Sequence, residues 1–249
     1  MTVFALQLVA MVTMLIDHLG SPIMDNNLYM RCIGRFAFPI YALLLAEGYR
    51  HVKDDKERVW NHVGGLILLA VVSECSYDLL EYKPITIESI IRSQSNMITL
   101  LLAFLGLIAI DYWKDQKLYM WATIILTAFL NYVSMSNYKF AGVLLVYAFY
   151  FYLNHSEGKN YLQRWLMILG IFLIYIPIYH FARCGFDPNV FWDKLKGDNT
   201  WWYLTHIPIA ALLASYNGEL GPRPKAYRIF YRWFYPAHLL VLGIIWHLM

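Results

Sequence analysis

The chain has 249 residues, of which 59% are hydrophobic and 15% charged, with a formal net charge of +3 at pH 7. Soluble domains carry nearer about 25% charged residues, so this composition excludes a water-soluble globular protein and points to an integral membrane protein with no stretch left over for a soluble domain. Nothing in the charge balance calls for a nucleic-acid partner.

Apolar stretches of roughly 20 residues, enough to cross a ~30 Å hydrocarbon core at 1.5 Å rise per residue, recur along the whole length. Polar or breaker-rich gaps between them predict nine spans: about 2–20, 30–50, 59–80, 96–113, 118–135, 139–153, 164–182, 201–217 and 231–248. The expected fold is an all-α polytopic bundle forming one transmembrane domain over 1–249. The first segment has no small-residue cleavage pattern and carries Asp17-His18, so it reads as a retained span rather than a signal peptide. Aromatic content of 17%, with 9 Trp and 20 Tyr, suits belts at the two interfaces. Cys32, Cys75 and Cys184 lack the close spacing of a zinc site or disulfide framework, and no metal is expected.

Cytoplasmic loops are enriched in Lys and Arg. With the N-terminus inside, the inner loops hold twelve of the 20 Lys and Arg and the outer side seven, with Arg35 assigned to the membrane. The bias predicts a cytoplasmic N-terminus. Residues 83–95 mix apolar and polar positions at roughly helical spacing, which suits a short helix in the outer interface. The polar loop 183–200, with Asp187, Asp193, Lys194, Lys196 and Asp198, reads as part of an external rim.

This topology collects ionisable residues at the two faces. Asp17-His18 end span one, Arg31 and Arg35 open span two, Glu74 and Asp78 end span three and Asn96 opens span four, all near the outer face. Charges at membrane depth cost several kcal/mol unless paired or hydrated, which makes such a cluster a functional-site hypothesis. Arg31 and Arg35 are four apart and share a helix face, as do Glu74 and Asp78. Two cations are thereby expected to meet two carboxylates, or Asp17 to pair with Arg31 or Arg35. An imidazole titrates near neutrality, so His18 is the candidate proton acceptor, against the plain alternative of a helix cap or a bundle hydrogen bond. Arg35 lies about one turn deeper than Arg31, and Pro39 is expected to kink span two around it. The arginines suit clamping an anion or stabilising an oxyanion. Glu74 and Asp78 orient the others, serve as a second base or act as counter-charges. Asn96 more often means capping and packing.

A second set lies at the inner face: Glu47, Arg50 and His51 after span two, then Gly221-Pro222-Arg223-Pro224-Lys225 through Arg228 and Arg232. Such cations suit a phosphate-bearing ligand, or they are the positive loops that topology requires anyway. His206 and His238 sit in late spans and either line the same cavity or pack.

Several of these pieces occur in an ordered set that resembles a known family. Ile16-Asp17-His18-Leu19-Gly20 and Arg31 through Tyr41, running on to Glu47-Gly48-Tyr49-Arg50-His51, are followed by Ser73-Glu74-Cys75-Ser76-Tyr77-Asp78 and Asn96-Met97-Ile98-Thr99. Tyr216-Asn217-Gly218 and Phe234-Tyr235-Pro236-Ala237-His238 complete the set, which is similar to the TraX family, named for the conjugative-pilin acetylation protein. Asn137-Tyr138-Lys139 departs from the family pattern, which has an acidic residue and a glycine there. The resemblance implies a multi-pass acyltransferase of a bacterial plasma membrane, with acetyl-CoA or another acyl-CoA as co-substrate. It also implies an extracytoplasmic acceptor such as a peptide N-terminus, a sugar or a small amine.

On this reading His18, Asp17, Arg35, Glu74 and Asp78 form the catalytic set. Arg50, His51, Arg223, Lys225, Arg228 and Arg232 hold the nucleotide end of CoA, with Arg31, Asn96 and His238 counted among the cofactor-binding residues. Lipids surround the bundle. A proton-coupled small-molecule transporter is the competing reading, because intramembrane Asp, Glu, His and Arg also build relays. That reading calls for charges near mid-membrane in broken helices with repeat symmetry. A structural subunit of an envelope complex is a third, and it leaves the cluster without a role.

Overall fold

The computed structural model of the chain describes residues 1–84, 86, 93–196 and 203–249, the side chains of 194–196 excepted. Among the described residues it is all-helical, the sole β feature being an isolated bridge between Gln94 and Ser136. The helices are α1 (Val3–His18), α2 (Leu28–Gly34), α3 (Ala37–Val52), α4 (Lys56–Glu81), α5 (Asn96–Tyr112) and α6 (Lys117–Val133). They continue with α7 (Lys139–His155), α8 (Tyr161–Arg183), α9 (Pro188–Lys196), α10 (His206–Ala214) and α11 (Lys225–Leu248). A π-helical turn, Leu19–Ile23, follows α1.

By length and composition, five segments among the described residues are able to cross a membrane: Val3–Ile23, Leu28–Val52, Lys56–Glu81, Tyr161–Arg183 and Lys225–Leu248. Asn96–Tyr112 and Lys117–Val133 are apolar but shorter. The outward faces are apolar, as a lipid-facing surface must be when no water is present to solvate polar groups. On α6 alone Leu118, Trp121, Ile125, Leu126, Phe129 and Val133 are exposed.

The interior is organised around α3 and α7. Helix α7 packs on α3, α5, α6 and α8, and it buries residues on every side, including Val143, Val146, Tyr147, Phe149 and Tyr150. Its expected span, 139–153, is the shortest of the set, and it becomes the centre of the bundle. A helix surrounded by protein need not match the hydrocarbon thickness, and its tyrosines can be buried where partners exist. Tyr147 donates to Thr127 at 2.8 Å and Tyr150 to Asp111 at 3.0 Å. Helix α11 lies along α4 and touches α1, closing the bundle on the side away from α8 and α10.

Local chemistry fixes several helix starts. Thr2, Asn27 and Asp55 accept from backbone N–H groups in the first turns of α1, α2 and α4, and Asn160 with Gln163 forms a reciprocal capping box on α8. Each such cap stabilises by about 1 kcal/mol. The second pass is broken at Arg35–Phe36, between α2 and α3. Pro39 has no N–H to give the Arg35 carbonyl and its ring crowds that carbonyl, so the break falls one turn before the proline.

Two expectations gain detail and a third falls mostly outside the described residues. The eighth span, expected over 201–217, is described as helix His206–Ala214, with 201 and 202 outside the described residues. The rim at 183–200 contains a helix, α9, whose first turn receives the Asp187 carboxylate through the N–H groups of Asn189 and Val190; Asp198 lies outside the described residues. Most of the interfacial helix expected over 83–95 also lies outside them, at 85 and 87–92.

Candidate functional site

The polar side chains gather at the two ends of the bundle. At one end lie the start of α1, the end of α3, the α7–α8 turn and residues 215–221. The Val3 and Phe4 N–H groups donate to the Glu219 and Leu220 carbonyls, lashing the start of α1 to that segment. Gly221 turns there at φ 69°, and a Cβ on it would press on the Thr2 side chain at 2.7 Å, so both backbone and space call for glycine.

A cleft of about 580 Å³ opens beside this junction. Four cations line it, Arg50, Lys53, Lys159 and Arg164, together with His51, Tyr216 and Asn217. Glu47 is the hub. Its buried carboxylate accepts from Tyr216 Oη at 2.9 Å and from Arg50 Nη1 at 3.1 Å, with His51 Nδ1 3.7 Å away. Arg50 Nη2 reaches Glu157 at 2.7 Å, Lys53 sits 3.9 Å from Asp111, and Arg164 Nη1 donates to the Tyr216 carbonyl at 2.7 Å. Lys159 is exposed and makes no ion pair with any described residue. Lys and Arg held around a concave surface suit a dense anion such as a phosphate.

At the opposite end, α1 finishes on Asp17 and His18. Asp17 Oδ2 pairs with Arg31 Nη1 at 3.0 Å, so one of the two expected cation–carboxylate meetings is made, by Asp17. Helix α2 comes so close that a Cβ on Gly34 would overlap the Asp17 side chain. His18 Nδ1 lies 2.8 Å from His238 Nε2, contributed by α11, and the Tyr235 ring stands edge-on to both imidazoles at centroid distances of 6.3 and 5.8 Å. His238 is buried, and its Nδ1 lies 2.7 Å from the Phe234 carbonyl oxygen. The π-helical turn directly after His18 contains Pro22, four residues on, which has no N–H to give the His18 carbonyl. Such turns recur at functional sites.

Arg35 lines a second, much smaller cavity with Tyr138, Tyr175, Tyr179, His180 and His206. Tyr138 stacks on Phe38 at 3.6 Å, and Arg183 Nη1 donates to Tyr179 Oη at 3.0 Å while lying over its ring. A guanidinium set among phenols suits an anionic group or a carbonyl oxygen gaining negative charge.

Glu74 and Asp78 stand apart from these arginines. Glu74 Oε2 accepts the Ser95 N–H at 3.0 Å, which ties α4 to the start of α5, and neither carboxylate forms an ion pair among the described residues. The pair of carboxylates expected to face Arg31 and Arg35 is thus replaced by Asp17 alone. Asn96 opens α5 and its Oδ1 is buried without a partner among the described residues. The divergent Asn137-Tyr138-Lys139 turn is held by Asn137, which donates to Tyr77 Oη at 2.8 Å and accepts from Ser93 at 3.2 Å. Lys139 there takes φ 44°, a backbone that glycine adopts without strain.

The expected nucleotide-binding set is only partly assembled. Arg50 and His51 line the cleft, whereas Arg223, Lys225, Arg228 and Arg232 do not; the last three are exposed at the start of α11. Arg31 and His238 belong to the opposite end, beside Asp17 and His18. Sequence reasoning left out Lys53, Lys159, Arg164 and Tyr216. The usable signal was that the ends of spans two, six and eight, with the loops that follow, are expected on one face, so residues far apart in the chain converge.

Between the two ends, α11 presents Tyr227, Tyr231, Tyr235 and His238 on one face at spacings of four, four and three. Tyr41 of α3 stacks near Tyr231 at 6.2 Å and Phe4 of α1 meets Tyr227 at 4.7 Å. A seam of phenols therefore runs between α1, α3 and α11 from the cleft end to the histidines.

A family model described as TraX protein matches residues 4–246. No curated protein and no solved structure matches the chain.

Proposed function

The chain belongs to the TraX family, and from that premise we propose that it is an integral-membrane acyltransferase. It takes an acetyl or other acyl group from acyl-CoA on the cytoplasmic side of a bacterial plasma membrane and delivers it to an amine or hydroxyl on the other side. The observation that carries the reading is the separation of two unlike sites at opposite ends of the bundle, with α1 running between them. A cleft rich in cations lies at the end where α1 starts and a histidine pair where it finishes, the helix being 16 residues and therefore about 24 Å long.

The cleft residues fit the phosphates of a nucleotide-bearing thioester: Lys159, Lys53, Arg50 and Arg164 supply charge, with Glu47 holding Arg50 in place. The phenolic seam lines the way between the ends. At the far end His18 takes the proton from the acceptor N–H or O–H as nitrogen or oxygen bonds to the thioester carbonyl carbon. The C–S bond then breaks and the proton passes to the departing thiolate. Arg35 stands among phenols to receive negative charge, either on the carbonyl oxygen or on the acceptor. The excess of Lys and Arg in loops on the cleft side supports a cytoplasmic N-terminus, and nine passes through the membrane are part of the same proposal. The charged clusters lie at the bundle's ends rather than at its middle, which favours this reading over a proton-coupled transporter.

Thermal unfolding of detergent-purified protein with CoA, acetyl-CoA and unrelated nucleotides tests the first half. A ligand that binds the folded state raises stability by RT ln(1 + [L]/Kd), so a CoA-selective rise is expected, and its absence alongside binding of another solute overturns the assignment in favour of transport. Turnover of acyl-CoA by reconstituted His18→Ala tests the second: unchanged turnover removes His18 from the mechanism.

A further inference from the structure

We infer that His238 is a positioning residue, holding His18 as the Nδ1–H tautomer so that Nε2 carries the lone pair that accepts the proton. The inference deepens the acyltransferase reading and rests on it for its purpose, while the tautomer itself follows from geometry alone.

The chain of reasoning starts at a carbonyl. His238 Nδ1 lies 2.7 Å from the Phe234 carbonyl oxygen, one turn earlier on α11. A carbonyl oxygen only accepts, so Nδ1 of His238 carries the hydrogen, and in a neutral ring its Nε2 is then the acceptor. That Nε2 is 2.8 Å from His18 Nδ1. Two lone pairs do not face each other at this distance, so His18 Nδ1 carries a hydrogen and donates it, and His18 Nε2 is left unprotonated. An unconstrained imidazole prefers the opposite form, with hydrogen on Nε2. The fold therefore imposes the less common tautomer.

The surroundings hold this arrangement. The Phe234 ring stacks on His238 at 4.8 Å with an interplanar angle of 16°, which fixes the imidazole plane. Asp17, the carboxylate nearest in sequence, turns its Oδ2 to Arg31 at 3.0 Å, and the partner within hydrogen-bond reach of His18 Nδ1 is His238 Nε2. Helices α4 and α11 approach closely just beyond, where a Cβ on Gly243 would meet Leu79 at 2.9 Å, so α11 has little freedom to slide His238 out of reach. The logic is that of an oriented general base, with a histidine and a backbone carbonyl in the place a carboxylate takes elsewhere. During transfer the acceptor proton moves to His18 Nε2, the new bond to the acyl carbon forms as the C–S bond breaks, and the same proton leaves with the thiolate. The Nδ1–H of His18 remains donated to His238 throughout.

Histidine-labelled protein in bilayers at alkaline pH, read by 13C and 15N NMR, tests this directly, with the His18 signals identified by their loss in His18→Gln. The expected spectrum shows His18 with hydrogen on Nδ1, reverting to the Nε2–H form in His238→Leu and retaining Nδ1–H in His238→Gln, whose side-chain oxygen replaces the accepting nitrogen. Turnover should fall on the order of 100-fold or more in His238→Leu, as for a base held in the wrong tautomer, with KM for acyl-CoA unchanged, and recover substantially in His238→Gln. A wild-type His18 bearing hydrogen on Nε2 overturns the inference, as does a His238→Leu spectrum with the tautomer unchanged. The expected tautomers with unaltered turnover in His238→Leu support the geometry and overturn instead the reading of His18 as the base. Should His238→Leu fail to fold, the wild-type spectrum and His238→Gln still decide.

Discussion

The two ends of the bundle handle charge in opposite ways. At the cleft end, Glu47 is buried and receives two donors, but the cations around it face an open space, and Lys159 is exposed without an ion pair among the described residues. At the histidine end the ionisable groups are tied to one another. Asp17 and Arg31 neutralise each other, and the two imidazoles turn inward on one another. An exposed cation without a carboxylate partner among the described residues, as Lys159 is, suits a ligand that brings its own negative charge and comes and goes. Groups fixed by protein partners suit a step that demands orientation, since a reacting group is useful only when held within a narrow range of geometry. The difference separates holding a substrate from transforming it, and α1, about 24 Å long, runs between the two ends.

The largest effect expected is at the oriented end. His18→Ala should reduce acyl transfer by roughly 10²- to 10⁴-fold, the usual contribution of a positioned acid–base group, while CoA still raises the unfolding temperature. Loss of both together would mean that the ends are not separable.

Gly34→Ala should come next. The added methyl overlaps Asp17, and overpacking of this kind costs about 1–3 kcal/mol. The midpoint of thermal unfolding in detergent checks it, and an unaltered midpoint would show that α2 yields freely around Asp17.

At the open end, Lys159→Ala should weaken CoA binding about tenfold, equivalent to about 1.4 kcal/mol, without lowering the stability of the ligand-free protein. Arg228→Ala, at an exposed position outside the cleft, should leave CoA binding unchanged. The reverse pattern in a titration would move the nucleotide site to the start of α11.

The smallest change concerns the divergent turn. Lys139→Gly relieves a left-handed backbone that costs an L-residue roughly 1–2 kcal/mol, offset by the greater entropy of glycine in the unfolded chain. A net stabilisation of about 0.5 kcal/mol or less is expected from the unfolding midpoint, and a clear destabilisation would show that the Lys139 contact with the Tyr132 ring, 5.3 Å away, outweighs the strain.

Class and local breaks were legible in the residues themselves. The apolar runs announce a helical membrane protein, because only a helix or closed barrel satisfies backbone polar groups in hydrocarbon. Pro39 announces the interruption at Arg35–Phe36, because a missing N–H and a crowded carbonyl are local facts. Asp17 as a partner for Arg31 was within reach for a related reason, since one short connection joins the elements that carry them.

What tertiary structure decided is which distant residues meet. A lipid-facing leucine and a protein-facing one look alike in sequence, so the run 139–153 gave no sign that α7 would be the centre of the bundle. His238 is 220 residues from His18, and it was counted among the cofactor-binding residues because chain order says nothing about how α11 lies against α1. Lys53, Lys159 and Arg164 read as ordinary positive loops until α3, α7 and α8 brought them around Glu47. Periodicity and composition are properties of one segment at a time. The shared cleft and the histidine pair are properties of packing between segments, fixed where small residues such as Gly34 and Gly243 let one helix come close to its neighbour.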